Sequence, residues 1–102
     1  MYYTYILKSL KQDGAIYIGY TNDLKSRLMQ HNSKHTGYSN KYLPWEIESY
    51  FAFTNERQAK ELERYFKSSS GKAFMNKRLI SNHFKEALKK FNNGRAKQVS
   101  VA

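Results

Sequence analysis

In "AIYIGYTNDLKSRLMQH", residues 15 to 31, a tyrosine is followed ten residues later by an arginine and four after that by a histidine. A phenol can orient a water or pass on a proton, and an imidazole can take one. A guanidinium presents a fork that matches phosphate oxygens. Arg27 and His31 are one helical turn apart, roughly 40° around the axis, and can face one cleft. Each also has a plainer use. Arg27 can be solvated, His31 can close its helix, and Tyr5 and Tyr17 can be an aromatic contact between neighbouring strands. Beside a cation and a metal, by contrast, a phenol would lose its proton more readily and position or deprotonate a water.

A fourth residue is conspicuous by its neighbours. Ala59, Leu62, Glu63 and Phe66 fall at i, i+3, i+4 and i+7, the spacing of a stripe that faces a core. Burying a carboxylate alone is costly, so Glu63 needs a partner. A salt bridge to Arg27 or to Lys67 is one solution. A magnesium ion is the other, because Mg²⁺ takes few protein oxygens and keeps waters for substrate phosphates. Glu61 points roughly 160° away and reads as solvated.

The elements that would position these groups follow from the pattern. Tyr2–Lys8 is a β-branched and aromatic run that suits a strand. Asp13-Gly14 marks a hairpin turn, and "IYIGYT" returns as the second strand. Thr21, Asn22 or Asp23 caps a helix whose inner face carries Leu24 and Leu28. The polar run from His31 through Pro44 reads as a loop. "EIESYFAFT" alternates Ile47, Ser49, Phe51 and Phe53 against Glu46, Glu48, Tyr50 and Ala52, which predicts a third strand. Asn55 and Gln58 resemble a capping box opening "ERQAKELERYFKS", and the glycine of "SSSGK" ends that helix. Ile80, Phe84, Ala87, Leu88 and Phe91 predict a last helix stopped at Asn93-Gly94. The expected fold is α+β, a three-stranded antiparallel sheet flanked by helices in the order β-β-α-β-α-α. One domain spans residues 1–92, with a loose tail over 93–102.

Composition narrows the partners. Eighteen Lys and Arg against eight Asp and Glu give a formal net charge of +10, and from Lys67 onward nine bases face one acid. Such a chain gathers on polyanions, most abundantly nucleic acid. There is no cysteine, which excludes disulfides and cysteine-based zinc fingers and fits a reducing cytoplasm. The start, "MYYTYILKS", has neither the charge nor the apolar length of a signal peptide or a membrane span.

Together these residues resemble the GIY-YIG nuclease superfamily, in its compact single-domain bacterial form. The second motif is intact as Tyr17-Ile18-Gly19, and "YIGYTNDLKSRLMQH" is similar to the strand-to-helix signature. The first motif is degenerate: "YTY", Tyr3-Thr4-Tyr5, stands where Gly-Ile-Tyr is usual, and only Tyr5 matches. "AKELERYFK" resembles the segment with the metal-binding glutamate, Glu63, and "SSSGKAFMNKRL" resembles the end of the compact members. The resemblance covers residues 2 to 80.

It implies a phosphodiesterase that cuts DNA with one divalent ion, Mg²⁺ or Mn²⁺. Tyr17 would be the general base or orient the water, with Tyr5 assisting, and Arg27 would brace the scissile phosphate. Glu63 would hold the metal and His31 would assist proton transfer. Lys67, Lys72 and Asn76 would contact the nucleic acid, and Gly19 would let a DNA backbone approach closely. No recognition module is visible, so structure-selective cutting of branched or damaged DNA is expected. The same features suit a binding module without turnover, or a nuclease subunit that needs a protein partner for an apolar face of Phe84, Leu88 and Phe91.

Overall fold

A computed structural model describes residues 1–33 and 38–80. The centre of the molecule is strand β1 (Tyr2–Ser9), with β2 (Ile16–Thr21) on one side and β3 (Trp45–Phe53) on the other, both antiparallel to it. The "YTY" stretch runs within β1 in continuous register: Tyr5 faces Gly19 of β2 and Tyr50 of β3. Gly14 turns the hairpin at φ 93°, a left-handed value that glycine adopts without strain. Ser9 Oγ accepts from the amides of Lys11 and Gln12 and donates to the Tyr42 carbonyl at 2.6 Å, so the turn has its backbone partners.

Helix α1 (Leu24–Asn32) opens under Asp23, whose carboxylate accepts from the Ser26 amide at 3.0 Å. A one-turn helix, α2 (Tyr38–Lys41), lies in the stretch expected to be loop. Asn32 grips the start of β3 at both backbone groups: its amide donates to the Trp45 carbonyl at 3.0 Å and its oxygen accepts from the Trp45 amide at 2.6 Å. Helix α3 (Glu56–Phe66) opens under Asn55, which accepts from the Arg57 amide at 2.7 Å.

Alternating strand residues divide the interior into two layers. On one face of the sheet Ile6, Ile16 and Ile18 pack with Phe66 of α3, Met75 and Ile80, while Phe51 and Leu62 border them. On the other, Tyr5, Leu7 and Ala15 pack with Tyr42 and Trp45, bordered by Tyr17, Leu24, Leu28 and Ile47. A buried hydrogen bond of 2.7 Å from the Thr4 hydroxyl to the Ala59 carbonyl holds α3 on the first face.

The α+β class and the order β-β-α-β-α-α hold, with α2 as an added turn. Two local expectations are corrected. Ile47 and Phe51 do not share a face, because Ile6 pairs with Ser49 and Leu7 with Ile47, leaving Glu48 as an extra residue. That bulge shifts the alternation by one, sending Ile47 to the α1 side and Phe51 to the α3 side. It also aims Glu48 at Lys8, 3.2 Å away.

"SSSGK" does not end in a loop. Ser68 caps a new helix, α4 (Ser69–Arg78), by accepting from the Gly71 amide at 3.1 Å. Gly71 lies against the Tyr65 carbonyl, where any side chain would collide with backbone, so its small size serves helix packing. The expected last helix beyond Ile80, with Phe84, Ala87, Leu88 and Phe91, and the tail over 93–102 lie outside the described residues. Among the described residues no helix is long and apolar enough to cross a membrane.

Candidate active site

The strand-to-helix unit read from the sequence brings Tyr5, Tyr17 and His31 into one cluster. Tyr5 and Tyr17 point to the same side of neighbouring strands, and α1 crosses over them. Its last turn inserts His31, only 7% exposed, between the two rings. The His31 Nε2 lies 3.0 Å from the Tyr5 hydroxyl in a buried hydrogen bond. The His31 ring centroid is 4.3 Å from that of Tyr17, edge to face, and 6.0 Å from that of Tyr5. Trp45 backs Tyr17 at 6.0 Å, and Tyr42 backs Trp45. His31 is therefore built into the site rather than closing its helix in solvent.

The two phenols are not equivalent. Tyr5 is 1% exposed. Burial raises its pKa to about 12, against the opposing pull of the Arg27 charge and of Arg27 as a hydrogen-bond donor. The Tyr17 phenol is raised too, again chiefly by burial, with the Arg27 charge opposing and the Glu63 charge reinforcing. Tyr17 is half-buried. In the protein alone desolvation outweighs the arginine at both phenols.

Arg27 and Glu63 thus act electrostatically on the same pair of phenols, although they belong to helices on opposite faces of the sheet. The strand between them, β2, is an edge strand. Glu63 sits at the border of its apolar stripe, its side chain 16% exposed. Of the partners anticipated for it, Lys67 is present: the ammonium donates to Glu63 Oε2 at 2.8 Å, one turn along α3. Among the described residues no group of three or more carboxylates, histidines or cysteines forms a metal cage. Glu63 has the chemistry of a ligand for an ion that would take its other ligands from water and phosphate, with the Lys67 ammonium as its competitor.

The remaining candidates are placed differently. Gly19 faces Tyr5, and a Cβ there would lie 2.5 Å from the Tyr5 hydroxyl oxygen. Its missing side chain makes room for that buried phenol. Lys72 is exposed on α4. Asn76 is half-buried on α4, with its side-chain oxygen buried and without a hydrogen-bond partner. Neither is joined to the phenols by a hydrogen bond or ion pair among the described residues. Trp45 and Tyr42, which wall the cluster, escape a reading by periodicity because they fall in or beside the polar stretch before β3.

The GIY-YIG catalytic domain matches residues 1–78. A UPF0213 protein of Bacillus pumilus is 43% identical over 68 residues, covering 66% of this chain and 67% of the relative. A UPF0213 protein of Bacillus licheniformis is 38% identical over 72 residues, 70% and 72% of the two chains. The UPF0213 protein YsiG of Lactococcus lactis is 40% identical over 67 residues, 65% and 62%. With three quarters of its length matched, the chain belongs to the GIY-YIG nuclease family.

Proposed function

We propose that the protein is a metal-dependent endonuclease that hydrolyses phosphodiester bonds in DNA, acting in the cytoplasm with weak or structure-based selectivity. The observation that carries this reading is the buried Tyr5–His31–Tyr17 cluster, on whose phenols the charges of Arg27 and Glu63 both act. Arg27 binds a non-bridging phosphate oxygen and stabilises the charge that grows there. Tyr17 holds the attacking water in line. His31, against the Tyr17 ring, is the base that can receive the proton. Tyr5 fixes the imidazole through their 3.0 Å hydrogen bond. Glu63 would hold the Mg²⁺ or Mn²⁺ ion, which supplies polarisation of the phosphate and stabilises the leaving oxygen.

A second reading, a nucleic-acid-binding module without turnover, is favoured by one observation: the Lys67 ammonium already neutralises the carboxylate a metal needs. A cleavage panel separates the two. Purified wild type should cut one of duplex, nicked, branched or single-stranded DNA with Mg²⁺ or Mn²⁺, and Glu63→Ala should not. Salt-dependent binding by both proteins with cleavage by neither would establish the module instead.

A further inference from the structure

Past Arg27 the cleft opens into a pocket of about 260 Å³, lined by Tyr2, Tyr20, Thr21, Asn22, Arg27 and Glu56. Only Arg27 among these has a part in the chemistry above. The volume is that of roughly nine liquid waters, enough for one flat ring system. The Tyr20 ring is held from two directions. Its hydroxyl donates to Glu56 Oε2 at 3.4 Å, and the Lys60 ammonium stands 5.5 Å from its centroid while pairing with Glu56 at 3.9 Å. The pocket therefore has a fixed aromatic plate, a carboxylate at its rim and a shared wall with the phosphate-binding arginine.

Chemistry narrows the occupant. Arg27 is the wall suited to a phosphate, while Glu56, an acceptor only and paired with Lys60 at 3.9 Å, calls for a hydrogen-bond donor beside it. A purely apolar ligand would strand the hydroxyl, amide and carboxylate. A nucleobase satisfies all three walls: every base has a π-face for Tyr20, and an exocyclic amine is what an acceptor-only carboxylate can bind.

We propose that this pocket receives one unpaired base of the strand whose phosphate lies on Arg27. The base stacks on Tyr20, and its exocyclic amine donates to Glu56. The proposal rests on the phosphodiester reading of the site and adds a selection rule to it. A base stacked and paired within a duplex cannot enter without being extruded, so the pocket favours DNA that offers a free base. Cytosine and adenine, which present an amine, are preferred to thymine, which presents only acceptors and a methyl group.

The test is binding without metal, by fluorescence anisotropy in EDTA, using short single-stranded oligonucleotides of dC, of dT and of abasic deoxyribose phosphate. Wild type should bind dC more tightly than dT, and both more tightly than the abasic strand. Loss of stacking on one base corresponds to roughly a five- to 150-fold difference. Tyr20→Leu should abolish the difference between dC and abasic strands, Tyr20→Phe should retain it, and Glu56→Gln should abolish the preference for dC over dT. Equal wild-type affinity for dC and abasic strands overturns the proposal, with no variant needed. So does a Tyr20→Leu protein that weakens on both strands alike. Because no cleavage is read, an inactive protein that discriminates bases refutes only the nuclease reading, and an active one indifferent to bases refutes only the pocket.

Discussion

The two faces of the sheet are built from the same three strands and have opposite characters. Toward α3 and α4 the interior is Ile6, Ile16, Ile18, Phe66 and Met75, with no titratable side chain among them. Toward α1 it is phenol, imidazole and indole: Tyr5, Tyr17, His31, Tyr42 and Trp45. The aliphatic face only has to exclude water. The aromatic face excludes water and keeps polar atoms in fixed positions, at the expense of protons that burial holds on the phenols. The lesson is that one layer supplies stability while the other places reactive groups, and period-two alternation lets one strand serve both.

That division can be broken or sharpened by experiment. Phe66→Ala should cost about 3–5 kcal/mol of stability in urea unfolding, as a large core truncation does, and should weaken cleavage only through loss of fold. Arg27→Ala should do the reverse: about 10²–10³-fold in kcat on whichever DNA the wild type cuts, with an unfolding midpoint nearly unchanged. If Arg27→Ala instead unfolds the protein, the α1 side is a core like the other and the contrast fails.

Alkaline pH probes the aromatic face directly. The Tyr5 phenol keeps its proton up to about pH 12 in the fold and loses it near 10 when unfolded. The unfolded chain therefore binds fewer protons in that window, and stability must fall as pH rises through it. The loss is at most about 1.4 kcal/mol per pH unit. Tyr5→Phe should flatten the slope between pH 10 and 12 in guanidinium titrations, whereas Tyr50→Phe, on an exposed ring, should leave it as it is.

Smaller effects refine the picture. Gly19→Ala should destabilise by about 1–3 kcal/mol, because its methyl group overpacks against the Tyr5 hydroxyl. Combining it with Tyr5→Phe should recover part of that loss, a non-additivity that calorimetry can read. Lys67→Met removes the ammonium from Glu63. It should tighten Mn²⁺ binding by about two- to fivefold, the size of a modest ion pair, as followed by the free-ion paramagnetic resonance signal.

Much of this was legible in the sequence because it is local. Strand periodicity, the Asp13-Gly14 turn and the caps at Asp23 and Asn55 are properties of a few adjacent residues. The meeting of Tyr17 with His31 follows from a strand and helix joined by a short turn. What was not legible depends on partners far along the chain. The bulge at Glu48 exists only against β1, so the apparent alternation of Ile47 with Phe51 misled. Gly71 looked like a helix stop because nothing nearby shows that it rests on Tyr65. The two readings of Glu63, metal ligand or partner of Lys67, describe one carboxylate with and without its ammonium, and spacing alone cannot separate them. The base pocket draws on residues 2, 20, 22 and 56, which no motif connects.

The double grip of Asn32 on Trp45 has an evolutionary consequence. It ties the end of the helix bearing Arg27 and His31 to the first residue of β3, so the intervening stretch is anchored at both extremities. Relatives should therefore retain an amide side chain at the position of Asn32.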